Sequence, residues 1–198
     1  MIKNVIFDIG GVVLGRDFSR LAQLLGDTFS FIAGNDFPAY WSEFDRGTYT
    51  REEVASMLAS DKGCSVEEAQ ERIQALLDLL QPVSETVELI ADLKAEGVNT
   101  YVLSNMSREF YEHISTTFDV FEHFDGAVVS CYERINKPDE GIYTCLLERY
   151  GLEPSETLFV DDKAINTAAA AELGLHTVTF DERGVENIRA LLARHNQA

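Results

Sequence analysis

Val5-Ile6-Phe7-Asp8-Ile9-Gly10-Gly11-Val12-Val13 is the stretch whose reading decides the fold. An apolar run stops at a single carboxylate and gives way to paired glycines, the pattern of a buried strand leading into a tight turn. Such a strand carries Asp8 to its carboxyl end, the edge at which open α/β sheets bind ligands. The glycines accept backbone angles that a side chain forbids and let the main chain come close to a ligand. Taken alone, the stretch reads equally well as a strand ending in a capped turn. The same grammar returns twice, however. Thr100-Tyr101-Val102-Leu103 ends at Ser104-Asn105, and Thr157-Leu158-Phe159-Val160 ends at Asp161-Asp162. Parallel neighbouring strands would set the three endings side by side, as one shared site.

Outward from the first strand, a polar turn around Gly15-Arg16-Asp17 precedes helical sequence. Leu21, Leu24 and Leu25 are spaced for one face, which Phe29 and Ile32 continue. Thr50-Arg51-Glu52-Glu53 and Ser65-Val66-Glu67-Glu68 both read as capping boxes. Val54, Met57 and Leu58 give the stripe of one helix, and Ala69, Ile73, Leu76, Leu77 and Leu80 that of the next. The aromatics around Tyr40-Trp41 and Phe44-Asp45-Arg46-Gly47 read as packing for these helices. No strand is expected between the first strand and Pro82, and residues 15–82 are far too long for a βα connection. They are expected to form a separate, all-helical cap inserted after the first strand, on a catalytic core of residues 1–14 and 83–198.

From Ser84 the pattern is regular. Strands near 98–103, 126–130, 157–160 and 175–180 alternate with helices that stop at Gly97, Gly151 and Gly174. That alternation implies right-handed βαβ crossovers and an α/β fold, a Rossmann-like three-layer parallel sheet with helices on both faces.

Composition narrows the function. The chain's 198 residues carry 16 basic against 34 acidic side chains, a formal net charge of -18. Such a field repels nucleic acid and anionic membrane surfaces, so neither is expected as a partner. A phosphorylated substrate is repelled too, unless a cation locally reverses the sign. Cys64, Cys131 and Cys145 lack metal-ligand spacing and read as reduced thiols. No basic-then-apolar leader precedes the first strand and no apolar run approaches membrane-spanning length. A cytoplasmic protein, monomer or homodimer, is expected.

Asp8, Asp161 and Asp162 in one crevice would repel each other, and a hard divalent cation such as Mg²⁺ resolves this. Lys137 supplies a positive point charge, Ser104 and Asn105 supply donors for phosphoryl oxygens, and Asn166, one turn past Asp162, can face the same place. Singly, Ser104 reads as a helix cap, Lys137 as a loop lysine and Asn166 as a turn residue. Together they are an inventory for phosphoryl transfer.

At these residues the chain resembles the haloacid dehalogenase (HAD) superfamily. Four motifs stand in the family's order: Phe7-Asp8-Ile9-Gly10-Gly11-Val12-Val13, Leu103-Ser104-Asn105, Lys137-Pro138, and Phe159-Val160-Asp161-Asp162 with Asn166. The resemblance implies Mg²⁺-dependent hydrolysis of a phosphate monoester through an aspartyl-phosphate on Asp8. It implies metal held by Asp8, the Gly10 carbonyl and Asp162 with Asp161 assisting, and a phosphoryl group held by Ser104, Asn105, Lys137 and the backbone at Gly11. One position departs. Phosphatases of the family usually carry a second aspartate two residues after the nucleophile, as general acid and base, where this chain has Gly10. That aid is typically worth about 10²–10⁴-fold, so its loss predicts a slower reaction. A subgroup sharing the absence resembles bacterial glucose-1-phosphate phosphatases, with the phosphatase-type domain of epoxide hydrolases a further relative, and the Arg46-Gly47 region resembles that subgroup too. A small phosphorylated metabolite, a sugar phosphate, is therefore the expected substrate. Two alternatives share these residues: a 2-haloacid dehalogenase, and a weakened member that binds a phosphate ligand without turnover.

Overall fold

The structure, a computed structural model, describes residues 1–33 and 37–196. The chain opens with β1 (Asn4–Phe7), passes through Gly10-Gly11 and enters the short β2 (Leu14–Arg16). Helices α1 (Phe18–Leu25), α2 (Ala39–Asp45), α3 (Arg51–Lys62) and α4 (Val66–Asp78) follow, and β3 (Leu80–Pro82) returns to pair antiparallel with β2. Then come α5 (Ser84–Ala95), β4 (Asn99–Ser104), α6 (Arg108–Thr117), β5 (Gly126–Val129), α7 (Ser130–Glu133), α8 (Glu140–Tyr150), β6 (Thr157–Asp161), α9 (Ala164–Glu172), β7 (His176–Thr179) and α10 (Gly184–Asn196).

The main sheet is parallel in the order β5-β4-β1-β6-β7, with β1 in the middle and its register running from Phe7 to Val102 on one side and Val160 on the other. Its layering follows from the two-residue period of a strand. Val5, Phe7, Val102, Leu158 and Val160 pack with Leu89, Ile90 and Leu93 of α5 and Ile188 of α10. The alternate residues Ile6, Tyr101, Leu103 and Phe159 pack on the other face with Ile142, Tyr143 and Leu146 of α8 and Ala170 of α9. Burial on both faces is why these strands read as unbroken apolar runs. The α/β, Rossmann-like expectation holds.

Local chemistry sets the helix ends. Thr50 accepts from the Glu53 amide while the Glu53 carboxylate accepts from the Thr50 amide, a complete capping box on α3. On α4 only half of the expected box is made: Ser65 accepts from the Glu68 amide, and the Glu68 carboxylate turns to Arg72. Asp17 caps α1 by accepting from the Ser19 and Arg20 amides. Asp139 caps α8 by accepting from the Gly141 amide.

Three expectations need correction. Gly15-Arg16 is strand, not turn, and the region before Pro82 contains the β2–β3 ribbon where only helices were expected. Strands of three residues are too short to display alternation, and Pro82 demotes its own segment in a sequence reading. Leu24 is 57% exposed, so the buried stripe of α1 is carried by Leu21 and Leu25.

Candidate active site

Because β4 and β6 flank β1 in parallel, the three strand endings converge. Asp8 follows the last residue of β1, Ser104 ends β4 and Asp161 ends β6. The Ser104 hydroxyl donates to Asp8 Oδ1 at 2.7 Å, and Lys137 Nζ stands 2.9 Å from the same oxygen. Lys137 is buried and also donates to Asp161 Oδ2 at 2.6 Å and to the Leu103 carbonyl at 2.8 Å. Burial works against its charge, but Asp161 and Asp8 more than offset that and hold the ammonium above the usual lysine range. Burial pushes the Asp8 carboxyl up, with Lys137 pulling the other way.

Asp161 is fully buried, and its carboxylate also accepts from the Lys163 amide at 2.8 Å and from Asn166 Nδ2 at 3.0 Å to each oxygen. Asp162 opens instead to the cavity. Oxygens of Asp8, Asp161 and Asp162 lie within 4.8 Å of one another, the one such carboxylate cluster among the described residues. Burial, with Asp8 and Asp161 adding repulsion, pushes the Asp162 carboxyl up to about 7. Gly11 has φ +79°, and a Cβ there would meet Asp162 Oδ2 at 2.7 Å, so only glycine leaves the Asp162 carboxylate its place.

Two groups expected at the phosphoryl oxygens, one side chain and one backbone amide, have protein partners here. The Asn105 amide, expected at a phosphoryl group, embraces the Lys137 backbone: Oδ1 accepts from the Lys137 amide at 2.7 Å and Nδ2 donates to the Lys137 carbonyl at 2.9 Å. The Gly11 amide, expected at the same group, donates to the Leu14 carbonyl at 2.8 Å. With both ends of its amide on the Lys137 backbone, Asn105 fixes the loop that delivers Lys137, and it lines the cavity with a second Nδ2 hydrogen to donate.

A cavity of about 600 Å³ opens over these residues. Asp8, Gly10, Ser104, Lys137 and Asp162 form its floor, and Ile32, Phe37, Trp41, Met106 and Phe110 an apolar wall. Arg16, Ser42, Asp45, Asn136 and Lys163 also line it, as do Gly11, Asn105, Pro138, Ile165 and Asn166. Arg16, Asp45 and Lys163 escaped the sequence reading because they sit in a strand, a helix end and a loop that looked structural. Trp41, read as helix packing, is buried and also reaches the cavity. Burial pushes the Arg16 guanidinium down to about 10 against the pull of Asp45 and Asp162, and its Nε has no partner. Lys163 Nζ lies 3.8 Å from the Phe37 ring centroid.

A parallel sheet with carboxylates at two neighbouring strand ends, a serine at a third, a buried lysine between the carboxylates and a cavity above defines a hydrolase site of a known class. The haloacid dehalogenase-like hydrolase profile matches residues 2–174, and the chain belongs to that family. It is 27% identical to the sesquiterpene phosphatase astK of Aspergillus oryzae, over 87% of each chain. It is 26% identical to the D-ribitol-5-phosphate phosphatase of Bacteroides thetaiotaomicron, over 89% of this chain and 91% of that one. With acyl-CoA dehydrogenase family member 10 of Mus musculus it shares 31% identity over 96% of its own length but spans only 19% of that protein. A HAD family enzyme from B. thetaiotaomicron, solved in complex with magnesium and inorganic phosphate, superimposes with a TM-score of 0.72 at 25% identity, covering 91% of this chain and 95% of the other.

Proposed function

We propose that the chain is a Mg²⁺-dependent phosphatase that hydrolyses a small phosphate monoester through an aspartyl-phosphate on Asp8. The observation that carries this is the Asp8 carboxylate, held by Ser104 and Lys137 on one oxygen and crowded by Asp161 and Asp162. Asp8 and Asp162, both held above the usual carboxylate range, are oxygen donors that suit a hard divalent ion. Asp8, Asp162 and the Gly10 carbonyl would hold it, and when bound it supplies charge neutralisation for the phosphoryl oxygens. Asp161, saturated by Lys137, Asn166 and the Lys163 amide, serves to position Lys137. A carboxylate oxygen of Asp8 attacks phosphorus, and the bond to the leaving alcohol breaks. Ser104 and Lys137 hold Asp8 in place, and the Lys137 charge offsets that of the transferring group. Water then attacks phosphorus and releases phosphate from Asp8.

Residues 15–82 act as a cap whose helices complete the cavity over this floor. For the alcohol, the leading reading is a sugar or polyol phosphate. Arg16 Nε and Asn136 Oδ1 are buried without partners on residues lining the cavity, a donor and an acceptor available to hydroxyls, and a relative is a ribitol-5-phosphate phosphatase. The apolar wall of Ile32, Phe37, Trp41 and Phe110 favours a second reading, an apolar alcohol, in line with the sesquiterpene phosphatase relative. The test is phosphate release from sugar, polyol, terpenyl and aryl phosphates, with Mg²⁺ and with EDTA, by the wild type and Asp8→Asn. Mg²⁺-dependent release that Asp8→Asn abolishes is the expected result. Halide release from 2-haloacids without metal, or phosphate binding with no turnover of any ester, would overturn the proposal.

A further inference from the structure

We propose that Asp45 is the general acid and base of this reaction, taking the part that a carboxylate at position 10 would otherwise play. The inference rests on the phosphatase reading. The first observation is one of elimination. Among the described residues lining the cavity the carboxyl groups are Asp8, Asp45 and Asp162, and no histidine, cysteine, tyrosine or glutamate joins them. Asp8 is tied to Ser104 and Lys137 as the nucleophile, and Asp162 belongs to the carboxylate cluster. Asp45 is the carboxyl group left over.

The second observation is how firmly the end of α2 is fastened to the sheet. The buried Ser130 hydroxyl donates to the Asp45 carbonyl at 2.6 Å and accepts from the Met106 amide at 3.0 Å. Asn136 Nδ2 donates to the Ser42 carbonyl at 2.8 Å, and Arg134 donates to the Gly47 carbonyl. Three side chains, the buried Ser130, the half-buried Asn136 and the exposed Arg134, thus hold the backbone on both sides of Asp45, the fixed placement that a proton-transfer group needs. Its carboxyl group makes no ion pair among the described residues.

The third is its electrostatic setting. The charged and titratable groups around it are Lys163, Arg16 from β2, Asp8 from beyond β1 and the Cys131 thiol of α7, with the Ser107 amide also donating toward it. Burial dominates and pushes the carboxyl up to about 8, so it carries its proton at neutral pH, as an acid for a poor leaving group must. As the bond from phosphorus to the alcohol oxygen breaks, Asp45 gives that oxygen its proton and becomes a carboxylate. The carboxylate then takes a proton from the water that attacks the aspartyl-phosphate, which restores the acid as phosphate leaves Asp8.

The test compares an alkyl phosphate with an aryl phosphate, whose leaving group needs no proton, in rapid-mixing experiments on the Mg²⁺-loaded wild type, Asp45→Asn, Asp45→Glu and Lys163→Met. For Asp45→Asn, melting like the wild type, the aryl ester should give a fast burst of about one equivalent of alcohol followed by slow turnover, because the aspartyl-phosphate forms and waits. The alkyl ester should give no burst and a rate lower by about 10²–10⁴-fold, with partial recovery in Asp45→Glu. The fall of wild-type activity above pH 8 should vanish in Asp45→Asn. Equal losses on both esters would reduce Asp45 to a binding or packing role, and the same signature in Lys163→Met instead would make Lys163 the acid; either overturns the proposal while the phosphatase reading stands. No alcohol release from either ester by the wild type would remove both.

Discussion

Lys137 stands between two buried carboxylates, with its ammonium 2.9 Å from Asp8 and 2.6 Å from Asp161. Removing one partner from such a cluster leaves charge without compensation, which typically costs about 3–5 kcal/mol. Lys137→Met should therefore lower the unfolding free energy by about that amount in a denaturant titration and abolish phosphate release. An active, equally stable variant would show that the cluster is held by something else. The motif residues Asp8, Ser104, Lys137, Asp161 and Asp162 could be read from the chain because each interrupts an apolar run or sits at a fixed place after one. Asp45 and Arg16 could not. One lies among aromatics that pack helices and the other in what reads as a turn, and only the ribbon and the docked α2 turn them toward Asp8. Asn105 was legible in place, but its hold on the Lys137 backbone was not, since an amide that can meet a phosphate can equally meet a peptide group.

At the next scale, the end of α2 depends on one glycine. Gly47 has φ +77°, and a Cβ there would lie 2.7 Å from the Cys131 carbonyl oxygen of α7. Gly47→Ala meets both a disfavoured backbone conformation, about 1–3 kcal/mol by itself, and a backbone atom that cannot yield. Thermal melting should show a destabilised protein, and turnover of alkyl phosphates should fall as Asp45 loses its seat. Wild-type melting would mean that α2 can lift from α7 at no cost. Helices such as α3 and α4 were legible because caps and stripes are local signals. The β2–β3 ribbon is a pairing between residues distant in sequence, invisible to any short window.

For the molecule as a whole, crowded acids set the response to pH. Asp162 at about 7 and Asp45 at about 8, with Asp8 also raised, keep protons in the folded chain that the unfolded chain releases just above pH 4. Stability therefore falls as pH rises from about 4 to about 8. The lowered carboxyls Asp17 and Asp125 act below that window. In EDTA the melting temperature should drop between pH 5 and pH 8, and Mg²⁺, which favours the ionised Asp8 and Asp162, should restore more of it at pH 8 than at pH 5. A melting temperature that climbs over this range without metal would contradict the assignment. The ribbon has one more consequence. Since β2 and β3 bring the two ends of the helical stretch together beside the sheet, that stretch is attached like a detachable head. With both junctions side by side, that stretch can change length or be exchanged without displacing the strand ends that carry the carboxylates beneath it.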